Sequence, residues 1–223
     1  MRGMGVKLAL GAAAAALVFS ATAEARRHRM NAAFTPREFS AEYKAKEYFM
    51  LCHGQGARGF LGYRPIPQLA GQQTEYIQLQ LTAFAEGRRD RNLRYIRYAN
   101  VHGMSAERRE ALGKYLSSLE PASHWKPSGD LVDAGEKIFK GGAPENDVPA
   151  CAVCHGPEAR GDGIFPRLAG QWRPYLMKTL ANWEKERGLG PNGDDNSKIM
   201  LPIAKSLSEQ QIKEVTAYLS SLK

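Results

Sequence analysis

The segment "PACAVCHG" sets Cys151, Cys154 and His155 in the spacing C-x-x-C-H, and "EYFMLCHG" repeats the end of that motif as Cys52-His53, with Phe49 where a first cysteine would stand. Two thiols three residues apart can meet the two vinyl groups of one haem as thioethers, and the histidine that follows then faces the iron as its proximal ligand. Cys151 and Cys154 are thus candidates for covalent attachment and His155 for the metal. The sixth ligand has to come from further along. Met200, eight residues before Ser208 in "KIMLPIAKSLS", is the candidate, with Pro202 predicting an extended loop across the opposite haem face. A thioether sulfur in that position raises the reduction potential and favours electron transfer over ligand binding. A thioredoxin-like redox pair needs a strand-helix context and a structural zinc site needs a second pair of ligands nearby; the surrounding sequence offers neither.

The two C-H-G segments belong to a longer repeat. Cys52-His53-Gly54 with Ala57-Arg58-Gly59 matches Cys154-His155-Gly156 with Ala159-Arg160-Gly161, and "PQLAGQ" from Pro67 matches "PRLAGQ" from Pro166. Tyr76 and Tyr175 follow at equal distances, and "KYLSSL" and "AYLSSL" close the two halves. Four matches in one order define a tandem duplication. Its boundary falls in "EPASHWKPSGD", where prolines, serines and a glycine break any helical period.

These sites need elements to position them, and the periodicity predicts helices throughout. Thr35-Pro36-Arg37-Glu38 reads as a helix start running towards Met50, and Asp130 opens a second helix that ends at Gly141-Gly142. Ser105 precedes Leu112, Leu116 and Leu119, while Ser208 and Gln211 form a capping box ahead of Ile212, Val215, Leu219 and Leu222. Segments from Tyr76 to Phe84 and from Tyr175 to Trp183 also read as helical, and no alternating strand pattern competes. The fold class is all-α, in two tandem domains.

The N-terminus has the layout of an export signal: Arg2 and Lys7, an apolar run rich in alanine, then Ala23-Glu24-Ala25 ahead of "RRHR". The expected organisation is a signal peptide at 1–25, a first domain at 26–120, a linker at 121–129 and a second domain at 130–223. The run is short for a membrane span, so anchoring by an uncleaved signal is the lesser alternative. The whole chain carries a formal net charge of +8. Removal of Arg2, Lys7 and Glu24 leaves 29 positive and 22 negative side chains, net +7, which suits an acidic protein partner or a membrane surface. Nucleic acid is excluded as a partner after export. Three cysteines are too few for a disulfide scaffold.

"CAVCHG", "PRLAGQ", the tyrosine and M-x-x-I-A-x-x-L-S resemble the class I cytochromes c, and the duplication resembles the dihaem cytochrome c4 family. The resemblance implies two helical domains, each wrapping a haem c, in an exported carrier that passes electrons between periplasmic or membrane-bound dehydrogenases, reductases and terminal oxidases. Half one departs from it twice. Phe49 leaves only Cys52 for a thioether, as in single-cysteine motifs of some mitochondrial cytochromes c, with His53 as the proximal candidate. Counting back from Ser105 as Met200 stands to Ser208 reaches Arg97, so His102 and Met104 are the nearby substitutes for a sixth ligand. Without haem, Cys52 is expected to be a spare, buried thiol.

Arg88, Arg89, Arg91, Arg94 and Arg97 lie just before the last helix of half one and offer a docking face, a counter-charge for haem propionates, or a solvated basic surface. The functional expectation is one-electron relay rather than catalysis. Two alternatives remain: an open iron in half one that binds a small ligand and acts as an enzyme, and a haem-free half one that serves as a docking domain.

Overall fold

The computed structural model describes residues 49–62, 65–89, 101–122, 129–187 and 195–223, apart from the side chains of His102, Glu186, Asp195 and Asn196. The signal segment, most of the helix expected from Thr35, Arg91, Arg94, Arg97 and most of the boundary segment lie outside these residues. All described residues belong to one unit that begins at Ala45.

Half one starts with residues 49–53 in helical conformation and a 3-10 turn at Gln55–Ala57. A two-residue hairpin follows, β1 (Phe60–Leu61) against β2 (Pro65–Ile66), too short to leave an alternating pattern in the sequence. Helix α1 (Thr74–Ala85) then packs on α2 (Ala106–Ser118), burying Ile77 and Leu81 against Leu112 and Leu116. Ser105 caps α2 as expected, its Oγ accepting from Arg108 N–H at 3.4 Å. Between α1 and α2, the turn Val101–Gly103 leads to the buried Met104.

Half two runs α3 (Asp130–Gly141), a turn at Pro144–Asn146, α4 (Ala152–His155), α5 (Arg173–Ala181), α6 (Trp183–Arg187), α7 (Asp195–Ser206) and α8 (Glu209–Ser221). The capping box at Ser208 is formed: Ser208 Oγ accepts from Gln211 N–H at 3.2 Å, and Gln211 Oε1 accepts from Ser208 N–H at 2.8 Å. Helices α3 and α8 cross at Gly135, where a Cβ would stand 2.1 Å from the Glu214 carbonyl oxygen. Only glycine permits that approach. Phe139, fully buried, meets Tyr218 beside the crossing with ring centroids 5.5 Å apart.

The repeat is kept in local detail. Ala57 and Ala159 are fully buried in left-handed conformation, φ 54° and 55°, and each carbonyl accepts two backbone N–H groups from the following P-x-L-A-G-Q segment. Gly71 N–H donates to Leu116 O, and Gly170 N–H to Leu219 O, both at 2.9 Å.

That same segment joins the halves. The side chain of Gln171 accepts from Gln68 N–H and donates to Gln68 O, both at 2.9 Å. Reciprocally, Gln72 accepts from Arg167 N–H at 2.7 Å and donates to Arg167 O at 3.0 Å. Gln68 and Arg167 occupy equivalent repeat positions, so each half's terminal glutamine satisfies the other half's backbone. Both glutamines are buried. Their loss leaves buried peptide groups unpaired, at about 1–3 kcal/mol per group. The double variant Gln72→Leu/Gln171→Leu should therefore split one calorimetric unfolding transition into two; a single transition at the original temperature would contradict a structural role for the clasp.

Candidate haem-binding site

In half two the short helix α4 sets the motif. His155 N–H donates to Cys151 O at 3.0 Å, so the two residues lie one turn apart, and Gly156 ends the helix at φ 77°. The chain then folds back, with Gly161 N–H donating to His155 O at 2.9 Å. This return brings the Pro166 carbonyl to 3.0 Å from His155 Nδ1. A carbonyl can only accept, so Nδ1 carries the proton and Nε2 keeps the lone pair that a metal would use. The Phe165 ring meets the imidazole edge-on at 6.3 Å. Burial pushes the His155 pKa down, partly opposed by the Pro166 carbonyl, which favours the neutral, ligating form.

Cys151, Cys154, His155 and Met200 line one cavity, whose walls include Leu168, Leu176, Leu180, Ile203, Leu207 and Leu219. Burial pushes the Cys151 thiol up to about 11. Met200 reaches the cavity from a helix rather than from the extended loop expected. Ile203 and Leu207 pack on the half-two core and keep α7 helical across Pro202, although the missing proline N–H costs the helix one bond.

Half one repeats the histidine but not its surroundings. His53 Nδ1 lies 2.9 Å from the Pro67 carbonyl, and burial pushes the His53 pKa down. Phe49 is 9% exposed and stacks on the imidazole, centroids 5.9 Å apart and planes 17° from parallel. Cys52 is exposed, unlike the buried spare thiol expected of a haem-free half one: the helical end at 49–53 turns it outward while Phe49 faces the core. Met104 is buried in the half-one core beside Leu112 and Leu116. His102 lies in the turn Val101–Gly103, and Arg97 lies outside the described residues.

Half one also walls the half-two cavity, through Pro67, Gln68, Leu69, Gln72, Tyr76, Leu79 and Gln80. Of the five arginines only Arg88 and Arg89 are described, and Arg89 departs from a solvated basic face. Arg88 pairs with Glu86 at 2.5 Å, but Arg89 turns inward, its guanidinium 4.5 Å from the Phe84 ring centroid and donating to Gln80 Oε1. Arg187, 5% exposed, donates to the same Gln80 oxygen at 2.8 Å and to Tyr76 Oη at 3.2 Å. Burial and the neighbouring Arg187 charge push Arg89 down, and the two guanidiniums hold the Tyr175 phenol below its usual range even though burial alone would raise it. The sequence reading missed Arg187, because the charge run "EKER" marks none of its members as buried.

Comparison with known proteins places this arrangement. Residues 132–223 match the profile of the cytochrome c family. The chain is 34% identical to cytochrome c-552 of Acidithiobacillus ferridurans over 196 residues, 86% of this chain and 81% of that protein. It is 32% identical to a thiosulfate dehydrogenase electron acceptor of Thiomonas intermedia (strain K12), over 77% of each chain. The solved cytochrome c4 of Acidithiobacillus ferrooxidans superposes with a TM-score of 0.66 at 32% identity, over 79% of this chain and 99% of that one.

Helical frame and cavity are those of a class I c-type cytochrome, a class that binds haem c covalently. Within it the chain belongs to the cytochrome c4-like family. The donor set fits that cofactor: two thiols, an imidazole with its Nε2 available and a thioether share an apolar cavity.

Gly161 tests the histidine hold. A Cβ there would lie 2.3 Å from Phe165 O and 2.5 Å from the Pro166 carbonyl carbon, whereas one at Gly163 would meet nothing within 4 Å. Gly161→Ala should cost about 1–3 kcal/mol more than Gly163→Ala in chemical unfolding, because displaced backbone adds to left-handed strain. Equal losses would show that the Phe165–Pro166 return path does not depend on the close approach.

Proposed function

We propose that this chain is an exported one-electron carrier in which Cys151 and Cys154 tether a haem c and His155 and Met200 hold its iron. When bound, the haem accepts and releases a single electron through its iron. The surrounding residues do the rest. The Pro166 carbonyl fixes the imidazole tautomer and direction, and the leucine-rich walls exclude water, which disfavours the more highly charged oxidised state. The observation that carries this reading is the convergence of the two thiols, His155 and Met200 on one cavity.

In half one we infer a second haem, attached through Cys52 alone with His53 on its iron, supported by the duplicated hold of His53 on the Pro67 carbonyl. Its distal position differs from half two, since Met104 is a core residue and Arg97 stands where Met200 would align. The basic charge suits acidic redox proteins such as a dehydrogenase, reductase or terminal oxidase, and the relative named as an electron acceptor for thiosulfate dehydrogenase makes a dehydrogenase the favoured donor. Export to the periplasm follows from the signal-like N-terminus, with association at a membrane surface as a further role for the positive charge. Among the described residues no helix is long and apolar enough to cross a membrane.

Reduced-minus-oxidised spectra of the exported protein should show the α-band of haem c, and its absence would contradict the reading. Met200→Ala should leave the half-two haem attached but lower its potential clearly, since axial-ligand identity and its surroundings spread haem potentials over about 0.8 V. An unchanged potential would remove Met200 from the iron. Cys52→Ala should lose one of two attached haems; retention of the wild-type haem content would remove Cys52 from attachment.

A further inference from the structure

Each imidazole ends a hydrogen-bond chain that begins in the other half. His155 Nδ1–H donates to Pro166 O at 3.0 Å, and the N–H of the same peptide group, on Arg167, donates to Gln72 Oε1 of half one at 2.7 Å. In half one His53 Nδ1–H donates to Pro67 O at 2.9 Å, and the N–H of that peptide, on Gln68, donates to Gln171 Oε1 of half two, also at 2.9 Å. The partners fix which way each side-chain amide points. Gln72 Oε1 accepts a second N–H from Gln73 at 2.9 Å, and Gln171 Oε1 one from Trp172 at 3.0 Å. A backbone N–H can only donate, so the oxygen must face it. Both glutamines are buried, which keeps water from competing for either chain.

A peptide group passes polarisation from one side to the other. When its N–H is held by an acceptor, its oxygen gains negative charge and accepts more strongly, by roughly 10–30% per bond in a buried chain. A stronger acceptor on Nδ1–H makes the imidazole a more basic ligand. A more basic axial ligand favours the oxidised iron.

Resting on the assignment of His155 to a haem iron, we propose that Gln72 is a positioning residue that tunes the half-two iron from half one, through the Pro166–Arg167 peptide and the His155 ring. Gln171 stands in the same relation to His53. The tuning is crossed: each half's glutamine sets the donor strength of the other half's histidine without touching the iron. Docking and potential are thereby linked, since parting the seam removes both acceptors.

The test uses the exported holoprotein carrying Gln72→Met or Gln72→Leu. Attached haem is counted by intact mass, the half-two potential is read by redox titration, and the histidine Nδ1–H protons are followed by NMR of the reduced form. Methionine keeps the length of glutamine, but its sulfur is a weak acceptor. Each variant should make half-two reduction about threefold more favourable, roughly 28 mV at 59 mV per tenfold for one electron. The His155 Nδ1–H signal should move upfield while that of His53 stays, and Gln171→Met should do the reverse. A merely structural role predicts a potential shift of opposite sign, because water admitted by a loosened seam stabilises the oxidised iron. Gln73→Leu removes seam bonds to Arg160 O at 2.9 Å and Gly161 O at 3.2 Å but spares the chain to His155, so it should not raise the potential. An equal rise in Gln73→Leu overturns the relay, as does an unchanged or lowered half-two potential in the Gln72 variants with haem retained. Loss of haem from both Gln72 variants overturns tuning in favour of a role in assembly. Wild-type protein without haem at Cys151 and Cys154 overturns the haem assignment and the tuning with it.

Discussion

The reciprocal glutamine clasp is the constraint on which the rest of the molecule depends. Gln72 and Gln171 each end a P-x-L-A-G-Q segment, and each reaches across to satisfy the backbone at the start of the other. The same two segments supply the carbonyls of Pro67 and Pro166 that hold His53 and His155. Docking of the halves and orientation of the two imidazoles are therefore set by one stretch of chain used twice. A buried amide that pairs with both an N–H and a C=O leaves few alternative registers, since a slip would strand polar groups away from water.

From this docking follows the composition of the half-two cavity. Helix α1 presents Tyr76, Leu79 and Gln80 to it, so the wall facing the thiols is partly the other half's surface. Burial at the seam then gives Arg89 and Arg187 their electrostatic weight, for a guanidinium in water would count for little. The two histidine sites diverge within this shared frame. His155 has an edge-on aromatic from Phe165, whereas His53 has a stacked one from Phe49, the residue that replaces a thiol. In half one an aromatic thus packs on the imidazole from the position that Cys151 occupies in half two.

Much of this was legible in the sequence where the signal is local or repeated. The serine caps at Ser105 and Ser208, the helix from Asp130 and the duplicated C-H-G and P-x-L-A-G-Q segments depend on neighbouring residues and survive in the fold. Long-range relations were not legible. Pro202 argued for an extended loop at Met200, yet tertiary packing of Ile203 and Leu207 keeps the segment helical. The glutamines were visible as a repeat but not as an interface, because sequence identity does not say which surface a conserved-looking side chain meets. Arg187 went unremarked and Arg89 was one of five arginines with three possible roles, and only the fold buries the Nε of each.

Covalent attachment of haem at the half-two motif can be read out by intact mass spectrometry of the exported protein followed by peptide mapping. The peptide containing Cys151 and Cys154 should carry one haem through both sulfurs. Recovery of that peptide with two free, alkylatable thiols would contradict it.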